Sequence, residues 1–175
     1  MRVITGLSKG RKLNALQGTD VRPTLAKVKQ ALFSIIQFDI EGRRVLDLFA
    51  GSGQLGIEAL SRLAHSAVFI DSSKESISII KENLELSGLK DKALVLKTDA
   101  LSYLFNTTEK FDIVFIDPPY ELGLAKKALE NIERVLNKGA IVVCESNDTT
   151  DFPEEIGGFL LKEYKYGSTT LCVYR

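Results

Sequence analysis

The sequence has few of the residues that build metal centres and disulfide frameworks. Its 175 residues include two cysteines and one histidine, which are too few for a cysteine- or histidine-rich metal site, so we expect no metal. Cys144 and Cys172 each lie inside an apolar, strand-like run, where a thiol behaves as a small buried hydrophobe. We expect two free thiols. A disulfide is the alternative if the two strands are neighbours.

Long apolar runs are also missing. No segment approaches the roughly 18 residues of a membrane span, and the first residues form no signal-peptide pattern. We therefore expect a cytoplasmic protein with no membrane partner. The length is suited to one domain with a single core. We expect a monomer, although no residue pattern fixes the oligomeric state.

Net charge is absent as well, because 23 Lys and Arg balance 23 Asp and Glu. The charges are nevertheless unevenly spread: residues 1–30 hold seven basic residues and one acidic residue, a sum of +6, so the other 145 residues carry −6. We interpret residues 1–23 as a basic arm and residues 24–175 as the main domain. A solvated surface is the alternative explanation for such a cluster, but a short basic segment also suits the phosphates of RNA. The residues assigned to RNA are Arg2, Lys9, Arg11, Lys12 and Arg22.

Apolar runs rich in β-branched residues alternate with segments of helical periodicity. Strands are predicted at 43–49, 66–71, 93–97, 111–116 and 139–145, and helices at 24–37, 53–63, 73–87, 99–105 and 121–136. This alternation predicts a mostly parallel α/β sheet with helices on both faces. Residues 159–164 and 168–174 are separated by a short turn and predict a closing antiparallel hairpin, which makes seven strands. Short strands at 2–5 and 11–14 predict a small hairpin in the arm.

Polar residues and glycines mark the helix ends. Ser72 with Glu75 predicts a capping box, and Asp99 predicts an N-cap for the helix at 99–105. Gly88 and Gly139 lie where the preceding helices are expected to end.

A glycine loop follows the first predicted strand of the main domain. Residues 51–56 satisfy G-x-G-x-x-G, and Asp71 follows about twenty residues later, as in folds that bind dinucleotides. Asp47 separates two interpretations, because a carboxylate beside the loop repels a pyrophosphate and attracts the ammonium and sulfonium of S-adenosylmethionine. We therefore predict S-adenosylmethionine as the cofactor. The predicted cofactor residues are Asp47, Leu48, Phe49, Ala50, Gly51, Ser52, Gly53, Asp71, Ser72, Asp99, Ala100 and Thr24.

A second motif, Asp117-Pro118-Pro119-Tyr120, ends the strand predicted at 111–116. Two prolines stiffen the loop and remove two backbone donors, so that its carbonyls are free to accept hydrogen bonds. Asp117 and the Pro118 carbonyl can each accept one N–H of an exocyclic amine and direct its lone pair at a methyl donor. Tyr120 offers a face on which a base can stack. These four residues are the predicted catalytic group, and a strand-ending turn is the alternative.

These motifs together resemble the RsmD-type 16S ribosomal RNA guanine-N2 methyltransferases. The resemblance covers nearly the whole chain and includes the arm at 2–13, the Arg22-Pro23-Thr24 start of the first helix, the segment 45–62 and the segment 115–120. It implies a Rossmann-like class I methyltransferase fold that ends in an antiparallel hairpin. It also implies methyl transfer to the N2 amine of a guanine in ribosomal RNA or the small ribosomal subunit. Gln54 and Asp71 differ from the residues most common in that family.

Three other functions stay open. A DNA or RNA adenine-N6 methyltransferase uses the same Asp-Pro-Pro-Tyr chemistry, although 175 residues leave no room for a separate domain that reads DNA. A nicotinamide-dependent oxidoreductase fits the glycine loop and leaves Asp117 and its prolines without a task. A non-catalytic RNA-binding module fits the basic arm alone.

Overall fold

The fold was analysed on a computed structural model, which describes residues 1–16, 23–119 and 123–175, and only the backbone of residues 23–25. Five helices are found in this part of the chain: α1 Pro23–Ile35, α2 Gln54–Ser61, α3 Lys74–Ser87, α4 Ala100–Asn106 and α5 Leu124–Asn131. Eight strands are found there: β1 Arg44–Asp47, β2 Ser66–Asp71, β3 Ala93–Lys97, β4 Phe111–Ile116, β5 Leu136–Ser146, β6 Glu155–Ile156, β7 Phe159–Tyr166 and β8 Thr169–Tyr174. Single 3-10 turns occupy Lys90–Lys92 and Glu133–Val135.

The eight strands form one sheet in the order β3-β2-β1-β4-β5-β8-β7-β6. Strands β1 to β5 pair in parallel, and β8 and β7 add an antiparallel hairpin at the edge of β5. The predicted fold class is therefore confirmed. The additional strand is β6, a two-residue segment paired with the start of β7, which is too short for an alternating pattern to predict.

Side chains of the sheet alternate between two cores. Val45, Phe115 and Val143 face one core, which α1, α2 and α3 cover, whereas Leu46 and Val114 face a second core, which α4 and α5 cover. Helices therefore cover both faces of the parallel part, and the carboxyl ends of β1, β2, β4 and β5 are left open to form a site.

The two cysteines lie on neighbouring strands. Cys144 of β5 stands directly opposite Cys172 of β8 in the antiparallel register. Both are buried and both are free thiols, as predicted.

Two of the predicted helix ends are correct and two are wrong. Asp99 caps α4 by accepting a hydrogen bond from the Ser102 N–H at 2.8 Å, and Gly88 ends α3 in the left-handed conformation. The N-cap of α3 is Ser73, one residue after Ser72, because adjacent serines are equally able to cap. Gly139 lies inside β5 rather than after a helix.

The N-terminal segment packs against the main domain. Arg2 and Lys12 form an antiparallel bridge, so the predicted pairing of residues 2–5 with 11–14 is present as a short contact. Val3 and Leu13 are buried in the core beneath α1, α2 and α3. In the described residues, no helix is long and apolar enough to cross a bilayer.

Candidate active site

Three carboxylates lie on the same face of the sheet at the ends of adjacent strands. Asp47 of β1 is level with Phe115 of β4, which is level with Val143 of β5. Asp117 and Glu145 follow Phe115 and Val143 by two residues, and side chains two residues apart project to the same face. All three carboxylates therefore face the side that α1, α2 and α3 cover.

Hydrogen bonds hold the glycine loop between β1 and α2 in one conformation. Gly51 donates its N–H to Asp71 Oδ2 at 2.8 Å, and Asn83 of α3 donates to the Ser52 carbonyl at 2.8 Å. Gly53 caps α2 at φ 78°, and a Cβ there would lie 3.3 Å from Ile80. The loop thus requires a glycine at this position, and its backbone is fixed before any ligand binds.

Asp47 is buried at the base of this loop. Its Oδ2 accepts the Gly56 N–H, in the first turn of α2, at 2.9 Å. Burial is the main cause that raises the pKa of Asp47 to about 7; the Gly56 N–H and the charge of Lys29 oppose the rise, and the charge of Asp71 adds to it. A desolvated carboxylate of this kind becomes fully charged when a cation binds beside it.

One cavity of about 310 Å³ joins the glycine loop to the Asp-Pro-Pro segment. Its walls come from the N-terminal segment, helix α1, the glycine loop and the ends of β4 and β5. The lining residues are Met1, Arg2, Ile4, Ala15, Leu16, Ala26, Lys29, Asp47, Phe49, Ala50, Gly51, Ser52, Gln54, Leu55, Asp117 and Glu145. The two motifs predicted from the sequence therefore share one enclosed space.

Lys29 also lines the cavity, although in the sequence it appears only as one of the seven basic residues of segment 1–30. Its side chain is 7% exposed, and its Nζ lies 3.2 Å from Glu58 Oε2. That contact does not meet hydrogen-bond geometry, so the buried Nζ has no hydrogen-bond acceptor among the residues that the structure describes. Burial lowers the pKa of Lys29, and the neighbouring Glu58 carboxylate opposes this shift. A buried ammonium with unused donors suits an anionic group of a ligand.

The Asp-Pro-Pro segment closes the other end of the cavity. Burial raises the pKa of Asp117 to about 8, with further contributions from the charges of Glu145 and Asp47. Pro118 is buried and Pro119 is exposed. Tyr120 lies outside the described residues, so its stacking role stays a prediction.

A second cavity of about 280 Å³ opens on the far side of the two prolines. Its lining consists of the two prolines, residues 123–126 at the start of α5, Glu145 and Ser146 at the end of β5, and Asn147, Asp148, Asp151 and Phe152 in the loop that follows. Glu145 borders both cavities. It was not among the predicted site residues, because a single glutamate at the end of a strand carries no motif.

Several predicted cofactor residues lie outside the cavity lining. Leu48 is buried in the core beneath α4 and α5, Ser72 is exposed, and Ala100 is the buried first residue of α4. Asp71 holds the Gly51 and Ser73 N–H groups, and Asp99 caps α4. Gly53 is the N-cap of α2 and packs against Ile80. The side chain of Thr24 and all of Arg22 lie outside the described residues.

The described basic residues of the arm are exposed. Lys9, Arg11 and Lys12 face solvent, and Arg2 donates from Nη1 to the Gly10 carbonyl at 2.9 Å and also lines the cavity. Within residues 1–16, 23–119 and 123–175, no group of three or more His, Cys, Asp or Glu side chains is placed to hold a metal ion.

Comparison with known proteins gives concordant matches over the full chain. The family described as Conserved hypothetical protein 95 matches residues 1–175. Ribosomal RNA small subunit methyltransferase D of Haemophilus influenzae is 34% identical over all of this chain and 93% of its own length. YlbH of Bacillus subtilis is 38% identical over all of this chain and 98% of its own. The solved structure of yhhF from Escherichia coli superimposes with a TM-score of 0.88 at 33% identity, over 99% of this chain and 96% of that one.

The sheet order, the glycine loop and the Asp-Pro-Pro segment define a class I methyltransferase that uses S-adenosylmethionine. Within this class, the chain belongs to the RsmD family. This is the family described as Conserved hypothetical protein 95. The oxidoreductase and the non-catalytic RNA-binding module are thereby excluded as main functions.

Proposed function

We propose that this protein transfers a methyl group from S-adenosylmethionine to the exocyclic N2 amine of one guanine in small-subunit ribosomal RNA, in the cytoplasm. The observation that carries the proposal is that Asp47 and Asp117 line a single cavity. A methyl group can pass directly from donor to acceptor only when both are held in one space. The RNA substrate is supported by the relative named Ribosomal RNA small subunit methyltransferase D and by the exposed basic residues of the arm.

The cavity fits the chemical groups of the donor. S-adenosylmethionine carries an ammonium and a sulfonium, which suit the buried carboxylate of Asp47, and a carboxylate, which suits the unused donors of Lys29. The volume of about 310 Å³ lies within the roughly 300–1,000 Å³ range of small-molecule sites. We therefore assign Asp47, Lys29 and the backbone of residues 50–53 to the donor.

The acceptor base is held by the Asp-Pro-Pro segment. When bound, S-adenosylmethionine supplies a methyl group on a positively charged sulfur, which keeps the bonding electron pair as the methyl leaves. Asp117 and the Pro118 carbonyl each accept one N–H of the target amine, so that the nitrogen lone pair forms the new N–C bond. Asp117, ionised beside the cationic donor, also takes up the proton that the methylated amine must lose, and its pKa of about 8 supports this role. The base must leave its stack to reach this cavity.

Adenine-N6 methylation is the second candidate. Adenine also presents an exocyclic amine, and the Asp-Pro-Pro segment alone binds either amine equally well. The resemblance of the arm and of the two motifs to the RsmD-type guanine-N2 methyltransferases favours guanine.

The proposed function is tested with labelled donor and small-subunit particles that lack the modification. We expect label in the small-subunit RNA, and N2-methylguanosine on nucleoside mass spectrometry. Free small-subunit RNA in a parallel reaction shows whether the assembled particle is required. N6-methyladenosine, or no incorporation into either substrate, would contradict the proposal.

A further inference from the structure

Glu145 and Asp117 form a pair of carboxylates at the ends of two adjacent parallel strands. Ile116 of β4 is level with Cys144 of β5, so the residues that follow, Asp117 and Glu145, are also side by side. Neighbouring strands lie about 4.8 Å apart, so the side-chain oxygens of both residues can reach adjacent groups on one edge of a purine. The charge of Glu145 contributes to the raised pKa of Asp117, which independently indicates that the two carboxylates are close.

The position of Glu145 links the donor to the space where a base can enter. Glu145 borders the cavity that holds Asp47 and Lys29, and it also borders the cavity beyond Pro118 and Pro119. A base whose amine is held by Asp117 therefore presents the neighbouring atom of its edge to Glu145.

Guanine and adenine differ at this neighbouring atom. In guanine, the N2 amine lies beside N1–H, so that two donors are adjacent, whereas in adenine the N6 amine lies beside N1, which is an acceptor. An ionised carboxylate is an acceptor only. Burial and the neighbouring charges raise the pKa of Asp117 to about 8, and the cationic donor beside it favours the ionised form. Two ionised carboxylates side by side match the donor–donor edge of guanine, and they repel the lone pair that adenine places at N1.

We propose that Glu145 determines the selectivity for guanine by accepting a hydrogen bond from guanine N1–H while Asp117 accepts one from the N2 amine. This inference rests on the proposed function, and it identifies the residue that selects the base. The Asp-Pro-Pro segment binds an exocyclic amine of any base, and Glu145 restricts the site to an amine with a donor beside it.

The test uses 2-aminopurine, which keeps the 2-amine of guanine but has an unprotonated N1. The target guanosine is first located by nuclease digestion of the methylated RNA to oligonucleotides and mass spectrometry of these fragments. It is then replaced with 2-aminopurine ribonucleoside by splinted ligation of the small-subunit RNA, and particles are reconstituted. Single-turnover rates on the guanosine and 2-aminopurine particles are compared for the wild-type protein and for Glu145→Gln.

We expect the wild-type protein to prefer guanosine, and Glu145→Gln to narrow the ratio of the two rates by about tenfold or more, because an amide can donate to N1 as well as accept from it. Only the change in this ratio is used, since the two amines differ in intrinsic reactivity. An equal loss on both substrates, or an unchanged ratio, would overturn the assignment of Glu145.

Two further variants separate selectivity from stability. Glu163→Gln removes the same charge from an exposed position on β7 and should leave the ratio unchanged. Glu145→Ala should also narrow the ratio, through loss of guanosine methylation without a gain on 2-aminopurine, and it serves as the test if Glu145→Gln does not fold. If the wild-type protein forms no N2-methylguanosine, the proposed function itself is wrong. If it does so and the ratio is unchanged in both variants, only the role of Glu145 is wrong.

Discussion

Asp47 is a buried carboxylate whose folded-state pKa of about 7 lies above its ordinary value of 3.8. Between these two pH values the folded protein binds more protons than the unfolded chain, so the free energy of unfolding falls as pH rises. Asp117, with a pKa of about 8, acts in the same direction. The ligand-free protein therefore loses stability from about pH 4 to about pH 8. This loss is the cost of holding carboxylates ready for a cationic ligand.

We compare the free energy of unfolding of Asp47→Asn with that of the wild-type protein, both without ligand. From pH 5 to pH 8 this difference should shift in favour of the variant by about 2–4 kcal/mol, because the variant has no proton to lose at this position. The substitution should also weaken donor binding, since the attraction for the ammonium and sulfonium is removed. Denaturant unfolding at the two pH values, with calorimetric donor titration, measures both effects. A variant with the same pH dependence as the wild-type protein would show that Asp47 ionises normally in the folded state.

Lys29 has unused donors in the cavity. We expect Lys29→Met to raise the Kd of S-adenosylmethionine by about 10- to 100-fold through loss of a hydrogen bond between charged groups. The rate at saturating donor should change little, because the lost contact lies away from the methyl group. Lys27→Met on the same helix, at an exposed position, is the matched control. Equal donor affinity in the two variants would contradict the assignment of Lys29 to the donor site.

Two residues of helix α2, Glu58 and Ser61, hold the N-terminal segment, and Ser61 bonds to Thr5, Leu7 and Ser8. Glu58 is fully buried; it accepts the N–H groups of Ile4 at 2.7 Å and Thr5 at 3.0 Å, and it pairs with Arg62 and Lys29. The wall of the cavity formed by residues 1–16 therefore depends on α2, the same helix that begins at the glycine loop.

We expect Glu58→Gln to lower the free energy of unfolding by about 3 kcal/mol, because it leaves buried cations without their anion. Hydrogen exchange should show reduced protection at the Ile4 and Thr5 amides. Glu85→Gln on α3 removes an exposed partner of Lys90 and should cost less than about 0.5 kcal/mol. Unchanged protection at Ile4 and Thr5 would show that the Ser61 hydrogen bonds and the packing of Val3 and Leu13 hold the segment without Glu58.

Elements with a repeating pattern or a local cap were predictable from the sequence. The parallel strands and the closing hairpin follow from apolar runs, and the cap at Asp99 follows from a short polar side chain before a helix. The helix predicted at 121–136 instead ends at Asn131 and gives way to a 3-10 turn and β5. Its apolar residues continue without a break into the strand, so periodicity alone could not locate that boundary.

The site was predictable only where a motif is contiguous. The segments 47–53 and 117–119 were identified because their residues are adjacent in sequence, and the parallel topology brings their ends together. Lys29 and Glu145 were missed, because their place in the cavity depends on contacts between segments far apart in the chain. Along the sequence, Lys29 resembles any charged residue of an amphipathic helix.

The charge distribution of the chain as a unit predicts how it binds RNA. Residues 1–30 carry +6 and the remaining residues −6, so the phosphates of RNA should approach from the side of the arm. We expect replacement of Lys9, Arg11 and Lys12 with Gln to weaken RNA binding and to reduce the slope of log K against log salt concentration by about 2.

A control for this triple variant replaces three exposed lysines near the amino ends of the strands, Lys92, Lys110 and Lys138. These ends lie opposite the cavity, so the control should keep the wild-type slope. Equal slopes for the two triple variants would show that net charge, and not the position of the arm, governs binding.

The most direct test uses Asp117→Ala. Its single-turnover rate of methyl transfer is measured by rapid quench, and its Kd for the donor is measured alongside. We predict a rate lower by about 10²- to 10³-fold, through loss of the acceptor that orients the target amine, with donor binding retained. Asp91→Ala, at an exposed carboxylate in the 3-10 turn before β3, should keep the wild-type rate. A wild-type rate in Asp117→Ala would contradict the proposed placement of the target amine against the Asp-Pro-Pro segment.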